Sequence, residues 1–589
     1  KKLNSTFFKD FETVKSKSDL ELLIRQLFYY VTNYGFVNID EIEDNNRLQN
    51  KLKYIKGISK NNLRDEILKL LSSGVALDSD DINTIVGLMD YYRIGNLTNS
   101  EIESITNKEA KMYVYKALNK TPEDPVEFLR YSVFVITYNT LLIKNNETIQ
   151  NIKDNINRVI FQPSGLHEWI KQFKEYDKVK LAKIFNRFKP IFLAFKELPE
   201  LKSDINKISK LSKKYHSPYK EPVMTSLTTF KYDTDVVEKA VSKAPMSQIL
   251  RAHSALIEYG IMSLKQEQVL KLYNVRNGKT FFKTKQYMPD FNNLNKISKY
   301  IQILEDEIAK RLVPYMNNAT VILDKNVNFT IPTSMKKLVG HVFPNYATIS
   351  LDDLGKDDDL IIGITWDKRV DIDLSASIVG EGSVAWNTRL SNSIGVTHSG
   401  DMIRLNDHGF ATEFILIESD VNKPVTISDI VYSSMYANMN SDKYKLVIAK
   451  RSKDEMLSLD YRNDFKKVTD IGDVLFVGEI EMSNQSKTLG VYVPDTKSFI
   501  ITDTKFGAYN RGGQGNITDY QMGELINESI KNDAMHKMSF KYLISMLSHY
   551  GAKINVVFDE KNISDDSDNV IDLRPENINI NTFVDILNK

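Results

Sequence analysis

The stretch Thr365-Trp-Asp-Lys-Arg-Val-Asp-Ile-Asp-Leu-Ser-Ala-Ser-Ile-Val-Gly-Glu-Gly382 decides how the second half of this 589-residue chain folds. From Asp371 to Ile378 polar and apolar residues alternate without a break. Asp371, Asp373, Ser375 and Ser377 share one side, and Ile372, Leu374, Ala376 and Ile378 share the other. A period of two belongs to a strand with one buried face. Gly380-Glu-Gly382 and the β-rich Ser383-Val-Ala-Trp-Asn387 then predict a hairpin. On the polar side two carboxylates stand two strand residues apart, about 7 Å, close enough to repel unless a cation or a basic side chain lies between them.

Further strand-like runs surround this segment. Ala319 to Asp324, Ala347 to Leu351 and Leu360 to Trp366 precede or lead into it. Val384 to Trp386, Ala411 to Glu418, Tyr444 to Ala449, Val474 to Ile480, Leu489 to Val493 and Phe499 to Thr502 follow. Short strands at this spacing favour an antiparallel β-sandwich over a parallel α/β sheet. Towards the N-terminus the period changes to three and four. Helices are predicted over Leu20 to Val31, Asn62 to Leu71, Asp80 to Tyr92, Lys108 to Leu118 and Val126 to Ile143. Gly165 to Phe195 continues as helix with Pro190 as a kink or break, and Lys207 to His216 is the most basic run. From about Asp519 the chain returns to helix until Tyr550, followed by a strand at Lys553 to Asp559, an acidic loop and a last helix near Asn581 to Leu587. The expected fold class is therefore multidomain α+β. It comprises helical domains at 1–150 and 151–325, for which an irregular solenoid is one arrangement although no fixed period identifies it, a β-sandwich at 326–510, and a small mixed α/β segment at 511–589.

Composition narrows the chemistry. With 42% hydrophobic and 26% charged residues the chain is of the folding kind, and with no cysteine it has no disulfide, thiolate metal site or thiol nucleophile. No signal-peptide pattern opens it, and its most apolar window, Tyr131 to Ile143, is too short to cross a bilayer, so a soluble intracellular protein without a membrane partner is expected. The net charge of +1 conceals a dipole. Residues 1–330 carry 51 basic against 39 acidic groups, and the remaining 259 carry 27 against 38. The basic excess concentrates in 151–300, with 28 against 14. That asymmetry suits a polyanion, or docking of the basic half on the chain's own acidic half, or simply a solvated face.

Three blocks of the middle segment carry a family resemblance: Trp366 with Asp371-Ile-Asp373, the hairpin after Ile378, and His398-Ser-Gly-Asp401. In this order they resemble the TerD family over about residues 355–450. The resemblance implies a β-sandwich that binds calcium through acidic loops, in bacterial stress and tellurite-resistance proteins and in some phages. By it, Asp371 and Asp373 match the Asp-x-Asp pair and Asp401 the aspartate of the Gly-Asp turn. Glu413 lies where an acidic cluster usually follows, but Ala411 and Thr412 flank it here, a departure that puts a full calcium site in question. Calcium takes six to eight oxygens, and Asp371, Asp373, Asp401 and Glu413 offer four to six of them, with Asn406, Asp407, carbonyls and water as supplements. The same strand face also reads as simply wet, with Asp371 paired to Arg369 or Arg389. Asp373-x-Ser375-x-Ser377 in addition spells the metal-adhesion motif of von Willebrand A domains, which sits before a helix on a doubly wound sheet.

Other motifs are weaker. Gly278-Lys-Thr280 lacks the first glycine of a phosphate-binding loop, which is Tyr273 here, and no His-x-x-x-His pair supports a zincin. With no base placed beside a nucleophile, no enzyme is expected. Basic and aromatic residues interleave around Arg187, Lys189, Lys207, Lys210, Lys213 and Lys214, the ingredients of a nucleic-acid surface, although aromatics at helical spacing also make ordinary core. The leading expectation is a non-catalytic binding or scaffold protein related to stress response or phage biology, with possible calcium. Its partners are other proteins or copies of itself, in the bacterial cytoplasm or in a virion. The alternatives are an RNA- or DNA-binding protein and a phage structural protein.

Overall fold

The computed structural model describes residues 59–588 apart from 73–78, 92–96, 139–145, 158–162, 266–267, 275–279, 287–292, 332–346, 379–380, 386–389, 392–394, 406–408, 433–442, 453–472, 483–486, 506–533, 559–568 and 575–579. The expected helix at Leu20 to Val31 and the start of the late helical segment lie outside the described residues.

Capping residues punctuate the helical half. Asp124 accepts hydrogen bonds from the Val126 and Glu127 amides, Pro125 occupies the first turn, and the helix Pro125–Thr137 closes on Tyr138 in the left-handed region. Asp177 caps Lys178–Phe185 in the same way. The predicted helix from Gly165 to Phe195 is in fact three, Pro163–Glu175, Lys178–Phe185 and Lys189–Ala194, with Pro190 in the first turn of the third. Their inward residues Trp169, Phe173, Leu181, Phe185, Phe192 and Phe195 are at most 1% exposed, so these aromatics are core. Trp169 Nε1 donates to Ser132 Oγ at 2.9 Å, which satisfies the one polar atom of that ring. The helix Pro199–Tyr215 seats Leu201, Ile205, Ile208 and Ser212 inward. Further on, Met246–Lys265 packs on Leu294–Met316. Arg311 donates to the carbonyls of Val241, Ser242 and Ala244 at the end of the helix Thr234–Val241.

Residues 268–286 correct the all-helical reading of the 151–325 domain. Strands β1 (Gln268–Asn274) and β2 (Thr280–Gln286) form an antiparallel hairpin. Strand β3 (Thr320–Ile322) stands apart from the strands that follow it, pairing in parallel with two C-terminal strands.

Next come β4 (Val327–Asn328), β5 (Thr348–Ser350), β6 (Asp358–Trp366), β7 (Asp371–Ile378), β8 (Gly382–Ala385), β9 (Leu390–Ser391), β10 (Val396–His398) and β11 (Ala411–Ile417). They are followed by β12 (Val425–Tyr432), β13 (Lys443–Ser452), β14 (Asp473–Glu481), β15 (Lys487–Val493) and β16 (Ser498–Lys505). They make two antiparallel sheets, one of six strands in the order β14-β13-β6-β11-β10-β9 and one of seven in the order β4-β5-β16-β15-β12-β7-β8. The strands β17 (Asn555–Val557) and β18 (Val570–Asp572) flank β3, and β18 falls just after the region read as an acidic loop. The helix Phe540–His549 lies against Leu294–Met316, where Tyr542 and Tyr550 donate to Glu305 and Asp306.

Strand β7 follows its sequence pattern. Ile372, Leu374, Ala376 and Ile378 are buried, while Asp371, Ser375 and Ser377 are half-buried. Ile378 pairs with Gly382 in the hairpin to β8, and Gly382 has φ +146°, a conformation that favours glycine. Since β7 feeds a hairpin within an antiparallel sheet, the von Willebrand reading does not apply. No described helix is long and apolar enough to cross a membrane.

Candidate metal centre

Asp371 and Asp373 sit on β7 of the seven-stranded sheet, and Asp401 follows β10 of the six-stranded sheet. One carboxylate oxygen from each lies within 4.8 Å of the others. Separate sheets therefore supply one cluster, and a network around His398 and Glu413 holds them together.

Glu413, on β11, is fully buried. Its Oε2 accepts the Leu374 amide at 2.8 Å, and its Oε1 accepts the Met402 amide at 3.0 Å. One carboxylate thus ties β7 to the turn that carries Asp401. His398 adds a second tie. Its Nδ1 accepts the Gly400 amide at 2.8 Å, so the ring proton lies on Nε2, which donates to Leu374 O at 2.9 Å. Ser399 exchanges hydrogen bonds with Phe414, its amide donating to the carbonyl at 2.9 Å and its Oγ accepting the amide at 3.0 Å. Gly400, at φ +106°, makes the bend that delivers Asp401. On the other side, Trp366 Nε1 donates to Val370 O at 2.9 Å and fixes the turn from β6 into Asp371.

The electrostatics are unfavourable without a counter-charge. Asp373 is 8% exposed. Burial, followed by repulsion from Asp371, Glu413 and Asp401, pushes it up to about 7. Burial and then the charges of Asp401 and Glu413 also raise Asp371. Asp371 Oδ1 and Asp401 Oδ1 are buried with no hydrogen-bond donor. Unpartnered, mutually repelling oxygens at one point fit a hard divalent cation, for which carboxylates are the preferred donors. Asp371 forms no ion pair with Arg369 among the described residues, and Arg389 lies outside them.

Of the residues expected to hold the metal, Asp371, Asp373 and Asp401 converge. Glu413 stands behind them with both oxygens occupied by backbone amides, a bracket in place of a ligand. Asn406 and Asp407 lie outside the described residues. The role of Glu413 was not legible from acidic spacing, but a lone Glu between Thr412 and Phe414 on an apolar strand signals a buried carboxylate that requires donors.

The basic residues form a separate surface. Lys207, Lys210, Lys213 and Lys214 are exposed on Pro199–Tyr215, opposite its buried seam, and Lys189 is exposed at the start of Lys189–Ala194. Arg187 lies 4.4 Å from the ring centroid of Tyr219, a residue that sequence reading passed over. Compared with family models, curated proteins and solved structures, the chain matches none.

Proposed function

We propose that this chain is a non-catalytic binding or scaffold protein whose two antiparallel sheets form a TerD-like sandwich with a divalent-cation site, for calcium, at Asp371, Asp373 and Asp401. The observation that carries this reading is the convergence of three carboxylates within 4.8 Å, two of them with buried, donor-free oxygens. The polar contacts of Trp366, His398, Ser399 and Gly400 support it further, because each motif residue helps to place one of the aspartates. In this reading the ion locks the β6–β7 turn to the turn after β10. The chemistry supplied is charge neutralisation and ordering of a surface for a protein partner or another copy of the chain. The settings implied by the resemblance, bacterial stress response or a phage particle, belong to the same proposal.

Calorimetric titration of the chelator-treated chain with calcium, paired with thermal melts, tests it. Saturable binding with a raised melting temperature, both lost in Asp401→Ala, is the expected result. Absence of heat and of stabilisation at millimolar calcium, with wild type and Asp401→Ala indistinguishable, overturns it.

A further inference from the structure

The strongest charge asymmetry lies far along the sequence from the aspartates. Residues 171–220 hold 14 basic and 5 acidic side chains. The acids there are partly consumed, since Asp204 pairs with Lys178 and Glu197 with Lys153, whereas Lys207, Lys210, Lys213 and Lys214 form no salt bridge among the described residues. At 100° per residue these four lysines fan over about 120° of the helix, centred opposite Leu201, Ile205, Ile208 and Ser212. Between Lys207 and Lys214 the helix rises about 10 Å, which spaces positive charges along a line that a phosphate backbone can follow.

The line continues beyond the helix. The Ser217 amide donates to Lys183 O at 3.2 Å, which joins the segment after the helix to its neighbour Lys178–Phe185. All of residues 216–222 are exposed, and within them Tyr219 is 58% exposed with the Arg187 guanidinium over its ring. A large aromatic side chain standing in water beside a cation, at the end of a lysine stripe, supplies both parts of a single-strand site: charges for phosphates and a flat face for an unstacked base.

We propose that the outer face of Pro199–Tyr215, extended by Arg187 and Tyr219, binds single-stranded nucleic acid, with Lys207, Lys210, Lys213 and Lys214 on the phosphates and Tyr219 stacking on a base. A duplex keeps its bases stacked and engages the lysines alone. An acidic protein surface engages the lysines and leaves the ring idle. The proposal is independent of the cation site.

Fluorescence anisotropy of the full chain with labelled oligo-dT of twenty nucleotides, and with a duplex of equal length, tests it between 50 and 200 mM salt. Four phosphate contacts on a single strand give a log–log slope near −2.8, an affinity loss of about 50-fold across that range. Lys207→Ala with Lys210→Ala reduces the slope by about 1.4. Tyr219→Ala weakens oligo-dT about tenfold, leaves the slope and the duplex affinity unchanged, and is rescued by Tyr219→Phe. All these positions are exposed, and circular dichroism confirms that each variant folds. Absent binding at 50 mM salt overturns the proposal. So does equal binding of duplex and single strand with no effect of Tyr219→Ala. Self-association abolished by the lysine variants, without oligonucleotide binding, also overturns it and assigns the stripe to the acidic half of a second copy.

Discussion

Replacing Glu413 with glutamine separates a bracket from a ligand. The amide has nearly the same shape, but only one end accepts. With the oxygen kept towards the Leu374 amide, the new NH2 group faces the Met402 amide, formerly 3.0 Å from Oε1, and two donors then oppose each other in a fully buried site. A hydrogen bond to a charged acceptor contributes about 1.5–3 kcal/mol, and an orphaned buried donor costs about 1–3 kcal/mol. Removing one negative charge relieves the repulsion felt by Asp371 and Asp373 and offsets part of that loss. The net local cost is about 2 kcal/mol, which corresponds to roughly 30-fold faster amide exchange. Hydrogen-exchange mass spectrometry of peptides covering 371–378 and 399–405, in chelator, reads this directly. A local probe is preferable to a global melt, because a chain of this size need not unfold in one step. Calcium affinity falls modestly as the Asp401 turn loosens. If exchange in chelator is unchanged while calcium binding collapses, Glu413 is a ligand and the bracket argument is wrong.

In chelator, Asp373→Asn is expected to raise stability by about 1 kcal/mol, because it removes one of three crowded charges, while abolishing the calcium-induced shift; urea titration with and without calcium checks both halves. Gly490→Ala places a Cβ against the Phe499 ring and 2.6 Å from Ile500 O on β16, so a loss of about 1–3 kcal/mol and poorer soluble yield are expected. Tyr444→Phe deletes the 2.6 Å hydrogen bond to buried Asp429 between the two sheets and is expected to cost about 1–3 kcal/mol by urea titration. Glu305 is held below the usual carboxylate range by its hydrogen bond from His253, with Tyr542 adding to the effect. A depressed folded value gives stability that is present above the unfolded value near 4.5 and lost as pH falls through the folded one. Glu305→Gln should flatten that acid limb in melts recorded between pH 3 and 6.

How much of this was legible depended on whether the signal was local. Strand β7 was readable because a period of two needs only eight residues, and the hairpin after it because Gly382 sits where φ turns positive. The hairpin of β1 and β2 carried an equally local mark, Asn277-Gly278 between two runs rich in aliphatic and aromatic residues, but those residues resembled the tail of a phosphate loop and the turn signal was not used. Strand β12 was missed for a different reason. Asp429 interrupts Val425-Thr-Ile-Ser-Asp-Ile-Val-Tyr432 where an apolar residue is expected, and only the fold shows that Tyr444, on another sheet, donates to its Oδ2. The pairing of β3 with β17 and β18 joins residues more than 230 positions apart, which no window of sequence reveals.

The candidate site shows the same division. Asp371 and Asp373 announce themselves by alternation, whereas Asp401 joins them only because His398 and Glu413 grip the backbone of Leu374 from the opposite sheet. Glu413, whose two oxygens already accept backbone amides, is the carboxylate that ties the strand of Asp371 and Asp373 to the turn of Asp401. On the proposed reading, the arrangement separates the two tasks of an ion site. Glu413 spends its charge on amides deep in the protein, where water cannot compete, whereas buried oxygens of Asp371 and Asp401 accept no hydrogen bond from the described residues. A sequence scan that counts carboxylates treats all four alike. Hydrogen-bond partners tell them apart, and they do so because a buried oxygen that already accepts an N–H has little left to offer a cation, whereas one with no donor has nothing else to stabilise it.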